Sequence, residues 1–253
     1  MSVRTALVTG PTSGIGLRFA HQLAARGFGL VLVARGEDRL AALAAELTEE
    51  YGVPAEVLAA DLGVRTDLAR VEARLADTSW PVDLVVNNAG FGLKRRFLDN
   101  DVEDEQVMLD VLVTAVMRLT HAALAAMVAR GSGAIVNVSS VAGYLPRGSY
   151  SAAKAYVTAL SEWADLTYRE RGVQVMALLP GFTHTDFHGR MSVGDGTVPG
   201  WMWLDADRLV TDALADLDRG RRISVPSRRY KVLATLARAT PSALQARFQT
   251  LGR

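Results

Sequence analysis

Apolar residues recur along this chain in two alternating rhythms. Short runs dominated by Val, Leu, Ile and Ala lie at positions 5–8, 30–34, 55–60, 84–87, 134–138, 173–178 and 222–225. Between them, apolar side chains return every three or four positions, at 14–26, 38–51, 66–76, 102–129, 150–171 and 205–219. The short runs predict strands and the longer stretches predict amphipathic helices. Their alternation predicts βαβ units, right-handed crossovers and a parallel sheet. The strands are apolar almost throughout, as expected when helices cover both faces of a sheet. No repeat or low-complexity linker divides residues 1–253, so one domain with a doubly wound parallel sheet is expected. Two segments break the rhythm. Residues 183–204, rich in Gly and polar residues, predict a loop over the substrate side. Residues 226–253 form a basic tail in which Val232, Leu233 and Leu236, then Leu244, Phe248 and Leu251, recur at helical spacing.

Composition narrows the function classes. Half the residues are apolar (49%) and 22% are charged, an ordinary globular balance. With no cysteine there is no disulfide framework, thiol nucleophile or thiolate metal site. The N-terminal residues show no charged segment followed by an apolar one, and no apolar run is expected to reach the length of a membrane span. A cytoplasmic location is therefore expected. The net charge of +1 conceals an asymmetry: nine basic residues and no acidic one lie from Arg219 to Arg253, so the body is acidic and the tail basic. Such a tail can dock on the chain's own body or a second subunit, or lie on an anionic membrane. No nucleic-acid partner is expected, because no binding motif accompanies the charge. Of His21, His121, His184 and His188, only His184 and His188 stand at i, i+4, in the substrate loop and without a third ligand nearby in sequence, so no metal is expected. The acidic run Asp99, Asp101, Glu103, Asp104, Glu105 reads as a solvated helix start.

Two motifs carry chemistry. Gly10, Gly14 and Gly16 lie between the first strand and the first helix, in Thr9-Gly-Pro-Thr-Ser-Gly14-Ile-Gly16. Glycines there let the backbone approach a pyrophosphate, and the helix N-terminus favours an anion. The same glycines could serve an ordinary tight turn. Arg35 ends the second strand, where an acid would accept the ribose 2′-hydroxyl of NAD and an arginine can pair with the 2′-phosphate of NADP. The alternative is a solvated arginine; Arg39, one turn on, could assist Arg35 but is expected to face solvent. Further along, Tyr150 and Lys154 stand four residues apart and share a helix face. A tyrosine hydroxyl has an unperturbed pKa of about 10, and a nearby ammonium favours the phenolate.

Taken together with Asp61-Leu62, Asn87-Asn-Ala-Gly90, Ser139-Ser140 and Pro180-Gly181, these motifs follow one another in an order that resembles the short-chain dehydrogenase/reductase family, to about Val225. The resemblance implies a Rossmann-type α/β sheet of about seven strands in the order 3-2-1-4-5-6-7. It implies an NADP(H)-dependent oxidoreductase in which Tyr150 is the general acid or base, Lys154 holds the nicotinamide ribose, and Ser140 polarises the substrate carbonyl, with Ser139 as the fallback. It further implies a cofactor site built from Gly10, Thr12, Ser13, Gly14, Ile15, Gly16, Arg35, Asp61, Leu62, Asn88, Ala89, Gly90, Tyr150, Lys154, Pro180, Gly181, Phe182, Thr183 and Thr185. A homodimer or homotetramer paired through the helices at 102–129 and 150–171 is implied as well.

Two departures stand out. Leu112 occupies the position where the family usually carries an asparagine that supports a water chain from the lysine, so the proton relay is altered. The segment 141–149 is also shorter than usual, which is expected to open one side of the active site. Phe91, Leu93, Tyr144, Leu145, Phe182, Phe187, Met191, Trp201 and Trp203 are candidates to line a substrate cleft. They suggest an apolar or 3-oxoacyl-like ketone, or the corresponding secondary alcohol. Two rivals remain: a catalytically silent NADP-binding scaffold or sensor, motivated by Leu112, and a lipid ketoreductase working at a membrane surface through the tail.

Overall fold

The computed structural model describes residues 3–185 and 199–239. Seven strands run in chain order: β1 (Thr5–Thr9), β2 (Gly29–Ala34), β3 (Ala55–Ala59), β4 (Leu84–Asn87), β5 (Gly133–Val138), β6 (Val173–Leu178) and β7 (Ile223–Ser224). They form one sheet in the order β3-β2-β1-β4-β5-β6-β7, all pairs parallel. The expected order and class are thus observed.

The strand sequences are apolar on both sides because each side has its own core. Ala6, Val8, Leu30 and Leu32 face α1 (Gly14–Ala25), α2 (Glu37–Tyr51) and α7 (Ala206–Asp218), meeting Phe19, Leu40 and Leu214. Leu7, Val31 and Val33 point the other way, toward α3 (Arg65–Ala76), α5 (Val116–Arg130) and α6 (Ser149–Tyr168). Alternate residues of a strand face opposite sides, so a half-polar strand could not occupy the middle of this sheet. Polar side chains in the centre bond to one another, although Asn87 Oδ1 is left without a partner. Asn87 Nδ2 donates to Asn137 Oδ1 (2.8 Å), and Asn137 Nδ2 donates to Ser161 Oγ (2.9 Å), which ties β4, β5 and α6 together.

The stretch expected to be one helix from 102 to 129 is continuous but not uniform. α4 (Val102–Leu109) passes through a π-helical segment, Asp110–Ala115, before α5 begins. A π segment accommodates an extra residue in the helix and rotates the helical phase. It carries Leu112 into a small apolar cluster with Met108 and Ala153. Contrary to the sequence expectation, this helix (Val102–Arg130) is long and apolar enough to cross a membrane by length and composition. Half of its most apolar window is buried inside the protein, as in the core helix of a packed α/β domain.

The tail forms α8 (Arg228–Ala239), which docks on the body through the buried Tyr230 and Ala234. Val232, Leu233 and Leu236 of the expected apolar row remain exposed, so the docked face is a different one. Leu244, Phe248 and Leu251 lie outside the described residues.

Candidate active site

A cavity of about 510 Å³ opens at the carboxyl ends of the strands. Ligands of open α/β sheets bind there because the strand-to-helix loops converge at that edge. At the floor, Gly10 and Gly14 adopt left-handed backbone conformations (φ 66° and 56°). A side chain on Gly16 would overlap the Gly10 carbonyl, so that glycine serves the tight turn and does not form the cavity wall. The loop is clipped from the neighbouring strand: Asn88 Nδ2 donates to the carbonyls of Thr9 (3.0 Å) and Gly10 (3.2 Å), and Thr9 Oγ1 accepts from the amides of Asn88 and Ala89 (2.9 Å each). No side chain caps α1, whose first residues Gly14 and Ile15 line the cavity. A helix N-terminus beside glycines that admit close approach suits a pyrophosphate. Thr12 and Ser13 line the same wall, and Thr185 reaches over the loop to within 3.0 Å of where a Gly14 Cβ would stand.

At one end of the cavity, Arg35 Nη1 lies 3.9 Å from Asp61 Oδ2. Asp61 is oriented by accepting from the Gly63 amide (2.9 Å). Arg39, expected to face solvent, also lines the cavity, its Nε 3.3 Å from the point where a Gly36 Cβ would stand. Two guanidinium groups therefore border the strand end, a donor set suited to a phosphate on the adenosine ribose. Leu62, Asn88, Ala89 and Gly90 form the middle of the wall.

The other end carries Tyr150, Lys154 and Ser140, as expected. Tyr150 and Lys154 stand on the first turns of α6, with Lys154 Nζ 5.7 Å from the Tyr150 ring centre. Lys154 Nζ donates to the Val138 carbonyl at 2.7 Å. Burial pushes the Tyr150 hydroxyl up to about 12, opposed by its hydrogen bond with Ser140, and pushes Lys154 down to about 8. In the protein alone, desolvation therefore outweighs the ammonium's pull on the phenol that the i, i+4 spacing suggests. The two serines differ in their partners. Ser139 Oγ is committed to the Lys154 carbonyl (2.6 Å) and Thr158 Oγ1 (2.7 Å). Ser140 is the serine hydrogen-bonded to Tyr150, and its Oγ lies 3.5 Å from the Pro180 carbonyl.

Pro180, Gly181, Thr183 and Thr185 line the cavity, whereas Phe182 does not. Its ring instead meets Trp203 at 5.8 Å, and Trp203 stacks on His184 at 4.8 Å. Of the proposed substrate-lining residues, Phe91 reaches the cavity wall, and Leu93 packs beside it on the cluster holding Leu112 and Tyr150. Tyr144 and Leu145 follow Ser140, while Trp201 is exposed. Phe187, Met191 and His188 lie outside the described residues. The side expected to be open because of the short segment 141–149 is met by α8, with Arg238 5.4 Å above the Tyr144 ring.

Two features escape the sequence reading. Glu105 is buried, unlike Asp99, Asp101, Glu103 and Asp104, which remain exposed. It accepts from Asn100 Nδ2 (2.7 Å) and from Ser149 Oγ (2.5 Å), at the first residue of α6 and one before Tyr150. Tyr230, discussed below, is the second feature. Elsewhere, His21 comes together with Glu46 and Glu50, their ligand atoms within 4.8 Å of one another. Both glutamates are exposed, and the group lies on the outer faces of α1 and α2.

A glycine-floored dinucleotide cavity that ends on a tyrosine, a lysine and a serine defines a nucleotide-dependent oxidoreductase site. The chain belongs to the short-chain dehydrogenase family, whose model matches residues 4–194. It is 35% identical over 188 residues to the very-long-chain 3-oxoacyl-CoA reductase of Anas platyrhynchos, covering 71% of this chain and 60% of that one. The chain thus spans about three fifths of that relative's length. Among solved structures, it is similar to a short-chain dehydrogenase from Sphingobium yanoikuyae in complex with NADPH (38% identity, TM-score 0.85, 94% of each chain). It is also similar to the bulky-bulky ketone specific alcohol dehydrogenase from Comamonas testosteroni (34% identity, TM-score 0.81, 94% of each chain).

Proposed function

We propose that this protein reduces a ketone to a secondary alcohol with NADPH, on an apolar substrate that includes 3-oxoacyl-like chains. The observation that carries the reading is the convergence of Tyr150, Ser140 and Lys154 at one end of a cavity whose other end presents Arg35 and Arg39. NADPH, when bound, supplies the hydride. The chain's own residues supply the rest. Ser140 donates a hydrogen bond to the carbonyl oxygen and draws charge onto it. Tyr150, held protonated at neutral pH by its burial, delivers its proton to that oxygen as negative charge develops there. Lys154, positioned by the Val138 carbonyl, places an ammonium beside the phenol as it gives up its proton. In the reverse direction Tyr150 accepts the alcohol proton.

The substrate class draws support from Phe91 in the cavity wall, with Leu93 packed on the apolar cluster behind it, and from the names of the similar proteins. A homodimer or homotetramer is part of the proposal. Tyr156, Trp163 and Leu166 on α6 and Val107 and Met117 on the preceding long helix expose apolar surface that a second copy would cover. The cysteine-free composition supports a cytoplasmic location.

The test is NADPH consumption over a panel of ketones that includes 3-oxoacyl thioesters of rising length, comparing wild type with Tyr150→Phe. Loss of about 10²–10⁴-fold in turnover with NADPH still bound is the expected result for a lost general acid. Tight NADPH binding with no turnover of any ketone would favour the silent scaffold.

A further inference from the structure

α8 touches both walls of the carbonyl end of the cavity. At its start, the buried Tyr230 hydroxyl accepts from the Phe182 amide (3.0 Å) and donates to the Met202 carbonyl (2.8 Å). Its ring lies so close to Gly181 that any Cβ there would overlap it. Beside it, Arg229 Nη1 donates to the Trp201 carbonyl (2.7 Å). The two segments gripped in this way are themselves paired. The Leu204 amide donates to the Phe182 carbonyl (2.8 Å), and the His184 amide donates to the Leu204 carbonyl (3.0 Å). At the far end of the helix, Arg238 lies over Tyr144, in the turn that follows Ser140. The walls also meet at their base, where the Pro180 carbonyl accepts from the Val141 amide (3.0 Å).

We propose that α8 is a strut that fixes the separation of the Pro180–Gly181 wall from the Ser140–Tyr144 wall, and that Tyr230 is its positioning residue. The tail thereby belongs to the active site. Tyr230 touches neither wall residue that does chemistry. It acts through Gly181, which lines the cavity, and through Pro180, whose carbonyl meets Ser140 and Val141. Without the hydroxyl, the Phe182 amide and the Met202 carbonyl lose the atom that joins them, and the Gly181 backbone is free to drift from the ring that holds it. Gly181 suits this position because only hydrogen can face the tyrosine ring at that separation.

The test uses the full chain with Tyr230→Phe, which keeps the ring and removes the hydroxyl. NADPH affinity, read by titrating cofactor fluorescence, is expected to fall about tenfold, the equivalent of about 1.4 kcal/mol. The KM for a ketone is expected to rise by a similar factor, about tenfold, with kcat less affected. Arg238→Ala is expected to raise the ketone KM and to leave the NADPH affinity unchanged, since it holds only the opposite wall. The substrate readout rests on the reductase reading, but the NADPH titration does not. If wild type reduces no ketone, that reading fails and the titration still decides this one. Tyr230→Phe with wild-type NADPH affinity would overturn the strut, and so would a lowered melting temperature with NADPH affinity and KM both unchanged.

Discussion

Leu112 fills the space beside Gly90: a Cβ on Gly90 would stand 2.7 Å from Leu112 Cδ2 and 4.0 Å from Lys154 Nζ. An apolar side chain, fully buried, therefore occupies the approach to the lysine where the family usually places an amide. Most of its surroundings match it: Met108, Ala153, Phe91 and Leu93 offer no hydrogen-bonding side chain, and the hydroxyl of neighbouring Tyr150 is bonded to Ser140. The ammonium is already held by the Val138 carbonyl. Leu112→Asn is thus expected to destabilise the protein by about 2–4 kcal/mol, from lost apolar burial and an unpaired amide. Turnover should stay within about threefold, less than 1 kcal/mol of barrier. Urea unfolding and kcat check the two halves. A large gain in kcat would show that proton supply limits the natural enzyme.

Glu105 anchors the helix that carries the tyrosine. Its carboxylate lies at the N-terminus of α6, where negative charge is favourable, and binds the Ser149 hydroxyl. Glu105→Ala leaves that hydroxyl and the Asn100 amide without their acceptor, at an expected cost of about 2 kcal/mol. Glu105→Gln should recover part of it. Since Glu105 does not line the cavity, the NADPH dissociation constant should be unchanged while kcat falls. Equal losses in both would place Glu105 in general stability alone.

Much of this arrangement was legible in the sequence for identifiable reasons. The strands announce themselves because both faces of the sheet are covered, so Leu30 to Val33 are apolar without interruption. Tyr150 and Lys154 are local, one helical turn apart, and their spacing alone puts them on one face. What escaped depends on distant chain segments or on departures from regular geometry. The π segment Asp110–Ala115 shifts the helical phase by a fraction of a turn, which no 3.6-residue periodicity registers. Glu105 differs from its acidic neighbours only in facing Ser149, 44 positions away. Tyr230 sits in a tail whose visible pattern was the row Val232, Leu233, Leu236, yet the docked face is the one carrying Tyr230 and Ala234. Phe182 was assigned to the cofactor through the family resemblance, but its ring meets Trp203.

Arg35 should decide between the two nicotinamide cofactors. It is exposed and its distance to Asp61 is long, so its charge is available to a phosphate at the strand end. Arg35→Ala is expected to weaken NADPH about 10- to 100-fold, the range for losing a charge-assisted contact. NADH affinity should barely change, because NADH has no 2′-phosphate to lose. Arg39→Ala should act in the same direction and less strongly, as a second cation bordering the same end. The check is a pair of fluorescence titrations with each variant at fixed ionic strength, since exposed charges are screened by salt. Equal weakening of both cofactors would place the guanidinium elsewhere.

Lys154 makes a prediction about pH in the absence of cofactor. Its folded pKa is about 8 against an ordinary value of 10.5, because burial opposes its charge. Below pH 8 both folded and unfolded chains carry the proton, and the full penalty of a buried charge is present. Between pH 8 and about 10 the folded chain sheds the proton while the unfolded chain keeps it, so this group makes stability rise with pH. Tyr150 acts later and in the opposite sense. Its folded value of about 12 lies above the ordinary 10.0, so its contribution is lost only as pH climbs from 10 through 12. Lys154→Met removes the first effect and spares the second. The difference in unfolding free energy, wild type minus Lys154→Met, should therefore rise between pH 8 and 10, most steeply near pH 9, midway between the two values, where the slope approaches about 1.4 kcal/mol per pH unit. Urea unfolding at several pH values gives that difference directly. A flat difference would mean that Lys154 keeps its proton in the folded protein, and that the Val138 carbonyl compensates for the water it has lost.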